Sequence, residues 1–537
     1  MNFKEAIRAL LSGVLLVIAL GPWKPVTSDK PLAILAWIAW MPILGCLLPI
    51  DSKNPCRRPF QTGWIMGLVF WFGTLFWLVH VTVAGMIALA VYLALYFSAW
   101  TFFVAWLHGR WSAATGPAHI GLALAGASAW VSLEWLRGRM LGGFPWNFAA
   151  VTQHRNLVLI QIAEWTGVYG VSFVLVFFNI ALWLTWRRLR IEKFSARSWR
   201  YEFSLAILLV ALCLMVGMRR LLAEQKNGDG KSFLRIALIQ PAVPQEVKYE
   251  AISFSEQQDR LRHLTLAAAA AKPDLIIWPE TALVNGPNHD QESHFWLQTL
   301  IREVKTPILL GTLDAPPWFL ERDKRSRPRW LCNAAMLVDV NGNWETPYHK
   351  LHLVPFGEYV PFERWLPWMR YLTPIQGSFE SGKKTVCFDF KGMRLGPLIC
   401  FEDTFPHLAR NLNRAGADVL INLTNDAWFK DSPGAAMHLA NAVFRTIENR
   451  RPLARCTNHG VTCIVDSMGR IQPQQILKPF AKGFLITEIA WHGREPATFY
   501  GRHGDWFAFG CGLSSVATLL IGRRSRAPDS QASPRRQ

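Results

Sequence analysis

Long apolar runs separated by short polar stretches fill the first 220 residues. Runs of about 18 or more apolar residues are typical of membrane-spanning helices. Candidate spans lie at 5–22, 31–49, 62–80, 83–107, 118–136, 157–186 and 203–219, and an eighth at 505–522. The sixth run contains Glu164 and Gly167, which predicts a tilted span preceded by an interfacial segment. No small-residue cleavage site follows the first run, so we expect a retained anchor rather than a cleaved signal peptide.

The pattern changes between residues 220 and 500. Short apolar runs bounded by Gly, Pro, Asn or Asp predict buried strands, whereas 255–272 and 433–450 have helical patterns. The strand candidates include "FLRIALIQPAV" (233–243), "DLIIWPE", "PILLGTL", "NAAMLVDV", "LGPLICFED", "DVLINLTND" and "RCTNHGVTCIVD". Alternating strands and helices predict a layered α/β domain. If the last run is one straight strand, its Cys456 and Cys463 are too far apart to form a disulfide.

Composition supports a membrane protein. Hydrophobic residues make up 51% of the chain, charged residues only 18%, and there are 26 Trp. Trp enrichment is typical of rings at a membrane–water interface. The formal net charge of +19 suggests nucleic acid at first, but the basic residues crowd stretches between apolar runs, such as 187–200. This distribution favours a signal for membrane topology over a nucleic-acid surface.

Lysines and arginines predict the orientation. With the N-terminus inside, the inner loops and tail hold seventeen of them and the short outer loops hold five. The asymmetry favours eight spans with both termini in the cytoplasm. We therefore predict a seven-span domain (1–219), an outside domain (220–500), an eighth helix (501–523) and a basic, disordered cytoplasmic tail (524–537). In a double-membrane bacterium, the outside domain lies in the periplasm.

One charged cluster lies inside the predicted membrane region. Glu134, Arg137 and Arg139 occur near a span end, in "EWLRGRMLGGFPWNF" (134–148). Ionisable groups in this position are costly unless they are paired or reach the interface. A functional cluster and a set of side chains that snorkel to the interface both explain the pattern.

Three predicted strand ends of the outside domain carry chemistry. "LIIWPET" presents Glu280, "YHKLHLVPFGEYVP" presents Lys350, and "LGPLICFEDTFP" presents Cys400. Taken singly, they are explained as a solvated turn residue, a surface lysine and a buried cysteine. Taken together, they supply a base, an oxyanion-stabilising cation and a thiol nucleophile, which acyl transfer requires. Sequence spacing alone does not show that they meet.

These motifs resemble those of a known superfamily. The ordered set "WPET", "HKLHLVPFGEYVP" and "ICFED" resembles the Glu-Lys-Cys triad of the nitrilase, or carbon–nitrogen hydrolase, superfamily. The stretch 422–462 and "GGFPWNF", together with the flanking spans, resemble the apolipoprotein N-acyltransferase family. The resemblance covers the chain up to about residue 523. It implies an αββα sandwich on an eight-helix transmembrane domain of the bacterial inner membrane.

The resemblance also implies a reaction. An acyl chain passes from a phospholipid, preferably phosphatidylethanolamine, to the cysteine, and then to the N-terminal amine of a diacylglyceryl apolipoprotein. Glu280 is expected to be the base, Lys350 the oxyanion stabiliser and Cys400 the nucleophile. Beyond the membrane and these two substrates no partner is expected, and we expect a monomer that binds no nucleic acid and no cofactor. We expect no metal because no CxxC or Cys/His metal spacing occurs.

Further residues have expected roles. Glu358 and Glu402 match supporting acids of the family, and Phe401 is expected to act through its backbone N–H. Substrate contacts are expected at Tyr249, where the family commonly has Trp, and at Trp428, Asn425 and Trp146. Residues 362–372 are apolar and predict a lid over the site.

Two other functions remain open from the sequence. A membrane-tethered amidase or nitrilase would pass the acyl group to water, although a soluble substrate needs no membrane spans. A catalytically silent scaffold would bind lipid or lipoprotein without chemistry, although the chain retains all three triad residue types.

Overall fold

The computed structural model describes residues 1–21, 32–50, 56–111, 116–191, 201–226, 232–245, 248, 253–322, 331–361, 363, 365, 367, 379–491 and 496–524. The helices of the N-terminal part are α1 (Phe3–Leu20), α2 (Met41–Leu47), α3 (Pro59–Leu75), α4 (Val83–Trp111), α5 (Gly116–Arg137), α6 (Leu157–Ile160), α7 (Ala163–Thr166), α8 (Val168–Ile191) and α9 (Glu202–Lys226). The predicted tail at 524–537 lies outside the described residues except for Arg524.

Helical segments occupy each of the predicted span positions. Among the described residues, four helices are long and apolar enough to cross a membrane: 59–80, 83–110, 168–191 and 202–225. Shorter apolar helices cover 32–47, 157–166 and 506–521. These helices form the membrane domain, and the number of crossings stays a prediction.

Two of the predicted spans are broken. Residues 31–49 were expected as one helix, but 32–37 form a 3₁₀ turn that is followed by α2. The sixth run divides into α6, α7 and α8, which agrees with the prediction of a short segment followed by a span. Gly167 separates α7 from α8 and has a φ of 66°. A Cβ there would lie 2.7 Å from the ring of Tyr500, so both conformation and space require glycine.

The described residues of the remaining part of the chain form two six-stranded sheets. Its elements in chain order are β1 (Ser232–Gln240), α10 (Ser253–Ala269), β2 (Leu275–Ile277), α11 (Gln291–Val304), β3 (Ile308–Asp314), α12 (Pro317–Arg322), β4 (Cys332–Val338), β5 (Tyr348–His349), β6 (Phe388–Phe390), β7 (Met393–Ile399), α13 (Pro406–Arg414), β8 (Val419–Thr424), α14 (Gly434–Asn449), β9 (Leu453–Thr457), β10 (Thr462–Val465), β11 (Ile471–Leu477), β12 (Gly483–Trp491), α15 (Phe499–His503) and α16 (Trp506–Arg524). The strand orders are β12-β1-β2-β3-β4-β5 and β11-β10-β9-β8-β7-β6.

The sheets face each other in a four-layer sandwich. Apolar side chains of both sheets, such as Ile277 and Ile421, form the central core between them. Helices α10 and α11 cover the outer face of the first sheet. Helices α13 and α14 cover the second sheet and share a further core with the membrane domain. The predicted αββα sandwich on a helical membrane domain is therefore confirmed.

One strand prediction was wrong. The run "RCTNHGVTCIVD" forms two antiparallel strands, β9 and β10, rather than one straight strand. The signal for a turn was present in Asn458, His459 and Gly460. Cys456 and Cys463 nevertheless remain free thiols.

Helix α14 fixes the sandwich to the membrane domain. The Asn147 N–H donates to Asn441 Oδ1 over 2.9 Å, and the Val168 N–H donates to Glu448 Oε1 over 2.8 Å. Just beyond the helix, Arg450 Nη2 contacts Glu164 Oε2 at 2.6 Å. These polar contacts fix α14, and with it the second sheet that α14 covers, to the membrane domain.

Candidate active site

Glu280 follows β2 in a tightly packed turn. Its carboxylate accepts from Asn333 Nδ2 at 2.7 Å and from the Asn425 N–H at 2.9 Å. Gly311 lets this turn approach β3, because a Cβ there would lie 2.3 Å from the Pro279 carbonyl oxygen. The carboxylate is therefore buried and oriented from both sheets.

Lys350 follows β5 and is fully enclosed. Its ammonium lies 2.9 Å from the Glu358 carboxylate and 3.7 Å from Glu280 Oε1. Burial lowers the pKa of Lys350, but the carboxylates of Glu358 and Glu280 outweigh burial and raise it above its usual value. Asn333 Nδ2 donates to both acids, with 3.2 Å to Glu358. Lys350 thus stays a cation between two oriented acids.

Cys400 begins a 3₁₀ turn directly after β7. Its φ is 53°, a left-handed conformation that is uncommon for residues other than glycine. Strained backbone of this kind is concentrated at functional sites. The Asn422 side chain holds the turn by donating to the Cys400 carbonyl over 3.0 Å.

The thiol lies in the electrostatic field of the other two residues. Burial raises the pKa of Cys400 well above its ordinary value, and the charge of Glu280 raises it further, whereas Lys350 lowers it. A resting thiol is therefore protonated, and its attack needs a base. The structure brings Glu280, Lys350 and Cys400 into one cluster between the two sheets.

Glu402 belongs to the framework of this cluster. Its four hydrogen bonds come from the Tyr348 hydroxyl (2.8 Å) and from the backbone N–H groups of Ile399 (2.7 Å), Leu351 (2.7 Å) and His352 (3.0 Å). Burial raises the pKa of Glu402 to about 7 despite these donors. Because its oxygens are occupied, Glu402 ties the Cys400 turn to the Lys350 loop and is not free to act as a base.

Comparison with known proteins identifies the family. Residues 12–181 match the model of the apolipoprotein N-acyltransferase N-terminal domain, and residues 235–496 match the carbon–nitrogen hydrolase model. The chain is 36% identical to an apolipoprotein N-acyltransferase of Geobacter metallireducens, over 97% of this chain and 96% of the relative. The corresponding protein of Chlorobaculum tepidum is 30% identical over 96% of each chain. The chain belongs to the apolipoprotein N-acyltransferase family. The resemblance inferred from its motifs is thus confirmed.

The family motif "GGFPWNF" forms a buried loop beside the Cys400 turn. Trp146 is 1% exposed, and its ring centroid lies 6.1 Å from that of Phe401. Arg137 Nη1 donates to the carbonyl oxygens of Phe144 (2.8 Å) and Trp146 (2.7 Å). Trp146 stacks on Phe401, and its expected contact with substrate stays a prediction.

In the charged cluster near this loop, Glu134 and Arg137 are buried and hydrogen-bonded, whereas Arg139 is exposed and pairs with an acid. Glu134 Oε1 accepts from the Ala149 N–H at 2.7 Å and from Trp130 Nε1 at 2.9 Å. Glu134 and Arg137 are each 4% exposed. Arg139 contacts Asp505 at the start of α16. This cluster shapes the loop that borders the site.

The other expected substrate contacts have different positions. Asn425 is buried, its side chain is hydrogen-bonded to Gln245 (2.7 Å) and Asn458 (2.9 Å), and its backbone N–H holds Glu280; its contact with substrate stays a prediction. Trp428 is 39% exposed beside the site. Tyr249 lies outside the described residues, as does most of the expected lid at 362–372, where Trp365 is 85% exposed.

Several site residues were missed from the sequence. Lys248 is buried and donates to the Glu280 carbonyl oxygen over 3.0 Å. Burial lowers the pKa of Lys248 to about 8. Asn333 was treated only as part of a strand. Arg455 lies in the apolar strand β9, and a charged residue in such a strand requires a buried partner, so it could have been recognised.

Proposed function

We propose that this protein transfers an acyl chain from a phospholipid to the N-terminal amine of diacylglyceryl apolipoproteins, by way of a thioester on Cys400. Membership of the family supports this activity. The observation that carries the mechanism is the clustering of Glu280, Lys350 and Cys400, which come from three separate strand ends.

Formation of the thioester is the first step. Glu280 accepts the thiol proton as the sulfur attacks the ester carbonyl of the phospholipid. Lys350 and the Phe401 N–H stabilise the oxyanion. The ester C–O bond then breaks, the protonated Glu280 returns the proton to the leaving oxygen, and a lysophospholipid departs.

Transfer to the amine is the second step. The neutral amine attacks the thioester carbonyl, and Glu280 accepts a proton from the nitrogen. The C–S bond breaks, and the sulfur recovers the proton as the amide forms. The two reaction steps together regenerate the free enzyme, which corresponds to a ping-pong mechanism with Cys400 as the acyl carrier.

The membrane setting follows from the substrates. Both carry acyl chains, so a site beside the membrane domain lets those chains remain in lipid while the carbonyl and the amine reach the thiol. The distribution of basic residues supports eight spans, cytoplasmic termini and a periplasmic sandwich in the inner membrane. We further propose phosphatidylethanolamine as the donor and a monomeric enzyme.

The covalent intermediate is the direct test. Purified wild type is incubated with phosphatidylethanolamine carrying a labelled acyl chain, and the label bound to protein is measured with and without hydroxylamine. We expect a hydroxylamine-sensitive adduct on the wild type and none on Cys400→Ala. Cys387→Ala, which removes another free, half-buried cysteine, is the matched control and should retain the adduct. An equal adduct on Cys400→Ala would refute the mechanism.

A further inference from the structure

A second buried ionic cluster lies behind the Cys400 turn. It comprises Asp403 from that turn, Asp426 after β8, His438 on α14 and Arg455 on β9, and each is at most 1% exposed. Arg455 contacts Asp403 through Nη1 and Asp426 through Nη2, the latter at 3.0 Å. The proposed chemistry makes no direct use of these four residues.

His438 lies between the two carboxylates. Its Nε2 is 2.8 Å from Asp403 Oδ1, and its Nδ1 is 2.9 Å from Asp426 Oδ1. A neutral imidazole has one N–H and donates to only one of them. Arg455 Nη2 lies 2.8 Å from Nδ1 of His438. In a neutral ring whose Nδ1 accepts a hydrogen bond from Arg455, the lone pair of Nδ1 would also face the Asp426 carboxylate, which is unfavourable. The imidazolium, in contrast, carries an N–H on each ring nitrogen and has one donor for each carboxylate.

Charge balance favours the same form. Two carboxylates and one guanidinium leave a net charge of −1 in a site without access to water, and an uncompensated buried charge is strongly destabilising. Protonation of His438 makes the cluster neutral. Burial and the charge of Arg455 lower the pKa of His438, but Asp403 and Asp426 outweigh them and raise it. The ring's other near neighbours, Trp146 and Phe429, carry no charge.

The cluster is coupled to the thiol by three routes. Asp403 belongs to the same 3₁₀ turn as Cys400. Arg455 Nη1 donates to Asn422 Oδ1 over 3.0 Å, and Asn422 in turn donates to the Cys400 carbonyl. The charge of Asp426 raises the pKa of Cys400, which opposes negative charge on the sulfur. A cluster with a net charge of −1 would therefore disfavour both the geometry and the charge that the attack requires.

We infer that His438 is a positioning residue for the reaction: its imidazolium bridges Asp403 and Asp426, holds the Cys400 turn and keeps the cluster behind the thiol neutral. This inference rests on the proposed role of Cys400 as nucleophile. It assigns to His438 no contact with substrate.

A compensating pair of substitutions tests the inference. The readout is the rate of adduct formation on the full-length protein with labelled phosphatidylethanolamine. His438→Gln keeps hydrogen-bonding capacity but leaves the cluster at −1, and we expect a loss of about tenfold or more. Adding Asp426→Asn restores neutrality, so the double variant should regain at least about threefold over His438→Gln. His407→Gln changes a half-buried histidine outside the cluster and should react like the wild type.

The dependence on pH separates charge from packing. Because the folded-state pKa of His438 lies above its ordinary value, its stabilisation is fully present below about pH 6.5 and is lost as the pH rises through the folded value. The difference in thermal unfolding midpoint between the wild type and His438→Gln should therefore narrow as the pH rises. A neutral ring with a purely steric role would give a constant difference.

The outcomes are distinguishable. If the wild type itself forms no adduct, the proposed function fails. If the wild type forms the adduct and His438→Gln equals it, or the double variant is no faster than the single one, the inference is overturned while the proposed function stands. If His438→Gln does not fold, the neutral double variant should still fold and react, and its failure to do so would also overturn the inference.

Discussion

Glu280 and Lys350 form a buried pair in which each side chain is held by further partners. Asn333 and Asn425 orient the acid, whereas Glu358 holds the ammonium at 2.9 Å. Because Lys350 is closer to Glu358 than to Glu280, the second acid neutralises much of its charge. Glu280 then remains available to accept a proton from the raised-pKa thiol of Cys400.

Two glutamine substitutions separate the base from the framework acid. Glu280→Gln removes the proton acceptor and should slow adduct formation ~100-fold or more while the protein stays folded. Glu402→Gln places an amide NH₂ against donors, and a lost buried hydrogen bond costs about 1–3 kcal/mol, so it should mainly lower the thermal unfolding midpoint. Adduct kinetics and thermal unfolding on both variants check this. Equal kinetic defects with equal stability would contradict the separation.

Two lysine substitutions rank the buried cations. Lys350→Met removes the charge that faces the developing oxyanion and should slow adduct formation by ~100-fold or more. Lys248→Met removes one hydrogen bond to the Glu280 main chain and should cost about tenfold or less. Single-turnover acylation of both variants measures the ranking. A larger defect in Lys248→Met would show that Lys248, rather than Lys350, stabilises the oxyanion.

At the scale of elements, α14 connects the membrane domain with the catalytic turn. Arg445 Nη1 donates to the Thr404 carbonyl of the Cys400 turn over 2.7 Å. One helical turn further along, Glu448 accepts from Val168 at the start of α8. The helix is buried along nearly its whole length, so it fixes the position of the thiol-bearing turn relative to the membrane domain.

The contact between Arg450, just beyond the end of α14, and Glu164 can be tested by mutation. Arg450→Met removes the partner of Glu164 at 2.6 Å and leaves Arg220 Nε at 3.2 Å from this carboxylate. Breaking a buried ion pair costs about 3–5 kcal/mol, and the remaining arginine reduces that loss. We therefore expect a lower thermal unfolding midpoint and faster proteolysis between the two domains. Arg262→Met breaks the exposed pair with Glu303 and, as the matched control, should cost about 1 kcal/mol or less. Equal losses in both variants would argue against an interface role for Arg450.

For the molecule as a whole, the sequence predicted those features that local patterns of apolar and polar residues determine. Apolar runs ending at Glu280 and Cys400 gave the strand ends, and their chemistry together with the motif resemblance gave the cluster. The β9–β10 hairpin was missed because the apolar residues on both sides of its turn were treated as one run. The ionic cluster of Asp403, Asp426, His438 and Arg455 was missed because its members are separated in sequence and come together only in the folded protein.

The acceptor of the acyl chain distinguishes the proposed transferase from a hydrolase, because Cys400 would pass the chain to an amine rather than to water. Enzyme preloaded with a labelled acyl chain is therefore mixed with a diacylglyceryl-cysteine peptide, and the products are separated by mass spectrometry. We expect the protein-bound label to disappear as N-acylated peptide forms in equal amount, with a negligible loss when the peptide's amine is blocked. Release of the label as free fatty acid, at the same rate with or without the peptide, would contradict acyl transfer to an amine and favour a hydrolase.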